Sequence, residues 1–132
     1  MTNGTPSKVR LTIPGEPEYA GLVRLVSAGI AHRLDLEPEL ADDLKLVATE
    51  MAAHVMSLGA EHVEMVWELG ERSLIMVVEA IGDAPPAVPT PAEISAWEEI
   101  GLLLVHSLMD EVSETKSPRA LRAVKYLFPD DE

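Results

Sequence analysis

The stretch from His62 to Ala80 limits what this chain of 132 residues can fold into more than any other. Residues 62–69 alternate, with Val63, Met65, Trp67 and Leu69 on one side. Gly70-Glu71-Arg72 is turn-like, and residues 74–80 form a near-continuous apolar run. Alternation marks a strand with one buried face, and a short unbroken apolar run between turn signals marks a central strand. A connection this brief favours an antiparallel hairpin. A lone hairpin is marginal in water, so other elements must cover it.

The flanking sequence supplies that cover. Residues 8–13 alternate through Val9, Leu11 and Ile13 and stop at Pro14, which predicts a strand. Residues 16–34 place Tyr19, Leu22, Val23, Val26, Ile30 and Leu34 at helical spacing. Asp35 and Leu36 form a short break. Pro38 then fits the first turn of a second helix. That helix runs to about Leu58 along the stripe Leu40, Leu44, Val47, Ala48, Met51, Val55 and Leu58, with Gly59 as its stop. Residues 82–91 are proline-rich and predict an irregular loop. Thr90-Pro91-Ala92-Glu93 matches a capping box and opens a third helix. Its apolar marks are Ile94, Trp97, Ile100, Leu104, Val105 and Leu108, and a break is expected near Gly101. Strands at 110–114 and 120–128, joined by a turn at Ser117-Pro118, close the chain. The order β-α-α-β-β-α-β-β lacks regular alternation and predicts an α+β sandwich, with helices on one face of a largely antiparallel sheet.

Composition narrows the function. The expected organisation is a polar tail at 1–7, a single domain at 8–128 and an acidic tail at 129–132. No cysteine is present, which removes disulfides and thiolate metal sites and fits a reducing compartment. The N-terminus has no apolar h-region, and runs such as 102–105 are far too short to cross a bilayer, so a cytoplasmic protein without a membrane anchor is expected. Ten Lys and Arg against 23 Asp and Glu give a net charge of −13. Such a field repels nucleic acid, whose binding rests on basic contacts to phosphate. It suits a basic protein partner, or simply keeps the chain soluble.

Three segments carry a family likeness. The first is Glu18-Tyr19-Ala20-Gly21-Leu22-Val23-Arg24-Leu25, continuing through Ser27-Ala28-Gly29 to Arg33. The second is Asp43-Leu44-Lys45-Leu46-Val47-Ala48-Thr49-Glu50, followed by Met51-Ala52-Ala53-His54. The third is Gly101-Leu102-Leu103-Leu104-Val105, ending in Leu108-Met109-Asp110-Glu111-Val112. In this order and spacing the chain, from about 11 to 127, resembles the anti-sigma-factor serine-protein kinases of the GHKL (histidine-kinase-like) ATPase superfamily. The resemblance implies a two-layer α/β sandwich, the Bergerat fold, with a mixed, mainly antiparallel sheet.

It also implies a Mg·ATP site built from three boxes. A helical glutamate acts as general base, and an asparagine four residues on binds Mg²⁺. An Asp-x-Gly at a strand end reads the adenine amino group, and a Gly-x-Gly lets the backbone approach the phosphates. This chain keeps part of that pattern. Glu50 matches the general base, whereas His54 stands at the Mg²⁺ position, and Mg²⁺ prefers hard oxygen ligands. Ala80 replaces the adenine-reading aspartate, with Gly82 kept and Glu79 pointing to the opposite face. Glu99 replaces the first phosphate-loop glycine, and Gly101 is kept. Glu50 and His54 have the spacing of a metal pair, but no third ligand is specified beyond the candidates His62 and His106, so no metal site is assigned.

The resemblance implies a partner-switching regulator that binds a sigma factor or an anti-anti-sigma protein of the STAS type, and a homodimer with Arg10, Arg24 and Arg33 near its contact. With its boxes altered, ATP binding is expected to be weakened or lost and no cofactor is needed. The alternative is an active serine-protein kinase using ATP and Mg²⁺. Against these stand plainer readings. Glu50 is then a solvated or capped acid, His54 a packed or hydrogen-bonded histidine, Trp97, otherwise a candidate interface anchor, a core residue, and Asp83 a turn former.

Overall fold

The computed structural model describes residues 7–82, 91–116 and 119–127. Its elements are β1 (Ser7–Pro14), a single 3-10 turn (Pro17–Tyr19), α1 (Ala20–Arg33), α2 (Pro38–Ser57), β2 (His62–Leu69), β3 (Ser73–Ile81), α3 (Pro91–Leu108), β4 (Glu111–Lys116) and β5 (Arg119–Tyr126). The expected order holds. The strands form one sheet in the order β1-β2-β3-β5-β4, and each of its four pairings is antiparallel.

Alternation decides which side of the sheet is covered. Val63, Met65 and Trp67 of β2, Leu74, Met76 and Val78 of β3, and Leu121 and Ala123 of β5 are buried. They pack with the α2 stripe Leu44, Val47, Ala48, Met51, Ala52 and Val55 in one core. The opposite face carries charge. Lys8 pairs with Glu68, and Arg10 with Glu64, each at 3.3 Å. Such exposed pairs contribute little stability. They mark the solvated face of an antiparallel sheet.

α1 starts later than the apolar spacing suggests, because Pro17–Tyr19 winds as 3-10 helix. Its buried residues are Val23, Ser27, Ile30 and Ala31, whereas Leu22, read as part of the stripe, is 42% exposed. Ser27 is buried because it has a partner: Trp67 Nε1 donates to its Oγ at 3.2 Å. The break at Asp35 and Leu36 is a Schellman stop. Asp35 N–H donates to the His32 carbonyl, Leu36 N–H donates to the Ala31 carbonyl, and Asp35 takes φ 57°.

Two expectations need correcting. No break occurs at Gly101: α3 is one helix through that position. β5 begins one residue earlier than expected and ends at Tyr126. The loop at 83–90, including Asp83, the turn at Ser117-Pro118 and the Trp97 side chain lie outside the described residues. No described helix is long and apolar enough to cross a membrane.

Candidate functional site

α2 lies over the middle of the sheet, and its flank carries Glu50 and His54 one turn apart. Residues four apart share a helix face. The two side chains nevertheless reach different neighbours. Glu50 is half-buried against α3. A Cβ placed on Gly101 would sit 2.5 Å from Glu50 Oε1. A larger residue at 101 would displace only the flexible end of the Glu50 side chain. His54 turns toward β4 instead. Its Nε2 lies 3.2 Å from Glu114 Oε2, and an ionised carboxylate only accepts, so Nε2–H donates. The Nδ1 atom of His54 is buried and has no partner among the described residues.

The end of β3 forms the second part of the site. The register sets Ala80 opposite Val63, and alternation turns it to the helix side, where it packs against the core. Its methyl group has nothing with which to read a base. Glu79 sits opposite Glu64 on the other face, as its parity predicts. Gly82 has φ 72°, a conformation that favours glycine. Glu61 leans over it, with Oε1 2.7 Å from where a Gly82 Cβ would be.

The third part differs in kind from a phosphate loop. Positions 99–101 lie inside α3 (Pro91–Leu108), about two turns past its start. An amide there is hydrogen-bonded to the carbonyl four residues back and is not free to cradle a phosphate. Gly101 is buried, and the Glu99 side chain lies outside the described residues.

Thus Glu50 and Gly101 are brought into contact, while Gly82 lies against Glu61 and Ala80 pairs with Val63. His62 and His106 are both exposed. Among the described residues no cluster of three or more His, Cys, Asp or Glu could hold a metal. Sequence reading missed Glu61, Glu114 and Arg119, which reach these positions across the fold. Arg119 Nη1 donates to the Leu58 carbonyl, and Nη2 donates to the Gly59 carbonyl at 2.6 Å.

An α+β sandwich with one antiparallel sheet, a central helix carrying a glutamate, and a following strand that ends in x-x-Gly defines a class of protein. The model of the histidine kinase-like ATPase domain matches residues 13–125, and the chain belongs to that family. Among its relatives is the serine-protein kinase RsbW of Bacillus velezensis (strain DSM 23117 / BGSC 10A6 / LMG 26770 / FZB42). It is 28% identical over 136 aligned residues, covering 90% of this chain and 85% of the relative. The serine-protein kinase RsbW of Bacillus thuringiensis (strain Al Hakam) is 25% identical over 120 residues, covering 80% of this chain and 75% of the relative. The resemblance to the anti-sigma-factor and serine-protein kinase branch stands on these matches.

Proposed function

We propose that this chain is a partner-switching regulator of the anti-sigma type, acting in the cytoplasm as a homodimer and gripping its partner without needing ATP. The partner is a sigma factor, an anti-anti-sigma protein of the STAS type, or each in turn. The observation that carries this reading is the continuous α3. Its amides at 99–101 are spent inside the helix, and its backbone at Gly101 lies against Glu50. A base for phosphoryl transfer must reach a hydroxyl proton at about 2.6–3.2 Å, directly or through one water. Glu50 faces α3 instead.

The donor set points the same way. Mg²⁺ takes oxygen ligands in octahedral geometry. Position 54 offers an imidazole already engaged by Glu114, and position 80 offers no acceptor. These residues do not suit Mg·ATP. One observation favours the kinase alternative: Glu50 keeps the family position and is partly accessible. It remains the residue whose removal would abolish transfer if the alternative held.

The test uses the intact protein, freed of nucleotide and mixed in turn with sigma factors and STAS proteins of its host. A stable complex is expected on size exclusion with or without Mg·ATP, and its affinity should change less than about threefold, under 1 kcal/mol. A complex that forms only with Mg·ATP would contradict this function.

A further inference from the structure

Arg119 sits one step beyond the last β3–β5 pair, Glu79↔Ala120. Carrying that register on sets it opposite Ala80. Leu121 and Ala123 of the same strand are buried on the helix side, so parity turns Arg119 to that side as well. From there its guanidinium bonds the Leu58 and Gly59 carbonyls at the end of α2. The Leu58 carbonyl, at the C-cap of α2, carries part of the negative end of the helix dipole. A fixed cation therefore occupies the corner between the end of β3 and the end of α2. A guanidinium has five donors and no acceptor. A purine amino group is itself a donor, so the guanidinium offers it no acceptor.

We propose that Arg119 is a specificity-determining residue, which holds the corner beside Ala80 closed to a base amino group. The inference rests on reading the site as independent of nucleotide, and it goes one step further. Restoring a carboxylate at position 80 would not restore base recognition, because Arg119 would take that carboxylate for itself.

A double-mutant cycle of Ala80→Asp and Arg119→Gln tests this, with the fluorescent nucleotide mant-ATP as probe. Glutamine keeps an N–H donor for an α2 carbonyl and removes the charge. With Arg119 present, Ala80→Asp should raise the thermal midpoint and leave mant-ATP binding unchanged. In the Arg119→Gln background it should lower the midpoint and tighten mant-ATP binding by about tenfold or more. Equal effects of Ala80→Asp in both backgrounds, on midpoint and binding, would overturn the proposal. The unaltered protein gives a second reading that needs no variant to fold. The Arg119 guanidinium protons should exchange slowly by nitrogen-15 NMR at neutral pH, and free, fast-exchanging protons would also overturn it. Tight mant-ATP binding by the unaltered protein would instead count against the proposed function. The midpoint coupling between positions 80 and 119 would still report on Arg119 alone.

Discussion

Replacing Trp67 with alanine is expected to cost about 3–5 kcal/mol, in the range of large-to-small changes at buried aromatics. Trp67 is fully buried in β2, paired in register with Val9 and Met76. Its ring fills the space between the sheet and α1, and its indole N–H ends on Ser27 Oγ. Truncation removes the packing and leaves a buried hydroxyl without its donor. Domains of this size are typically stable by about 5–15 kcal/mol, so the loss is a large fraction of the total. Urea unfolding followed by circular dichroism measures it. Trp67→Phe should retain most of the packing and lose the hydrogen bond, at a cost of about 1–3 kcal/mol. A Trp67→Ala loss below about 1 kcal/mol would show that the ring is not a core anchor.

Gly15→Ala should be nearly as damaging, at about 3 kcal/mol, the upper part of the range for overpacking. Gly15 follows β1, and its N–H donates to the Glu61 carbonyl at 3.0 Å. A Cβ there would collide with the carbonyl oxygen of Ala60 and lie 2.9 Å from its carbon. Backbone atoms cannot swing aside as a side-chain end does. The loop 59–61 would have to move, and with it the end of α2 and the start of β2. The expected fall in thermal midpoint is about 10 °C. A change within about 2 °C would mean the loop yields freely.

The architecture was largely legible because it rests on local period. Residues 62–80 announce a hairpin, and α2 announces its stripe from Leu44 to Val55. The misreadings have physical causes. Leu22 fits a helical wheel as well as Val23 does, and only packing against α2 decides that Leu22 stays exposed. Gly101 suggests a break because glycine is unfavourable in a helix interior by about 1 kcal/mol. α3 nevertheless runs straight through it, with the Glu50 carboxylate beside it.

The site was half legible. Glu50, Ala80, Gly82 and Gly101 are what the family resemblance implies, position by position along the chain. His54–Glu114 and Arg119–Gly59 join residues 60 apart, so they depend on how β4 and β5 register against the rest. One signal was available. A charged residue in step with buried Leu121 and Ala123 must find a partner on the helix side, and Arg119 is such a residue.

On the proposed function, this histidine kinase-like ATPase scaffold works without Mg·ATP. Isothermal titration of the intact, nucleotide-free protein with Mg·ATP tests it most directly. Binding weaker than about 100 μM, or no detectable heat, is the predicted result. A dissociation constant well below that, at a binding free energy beyond about −5.5 kcal/mol, would contradict it.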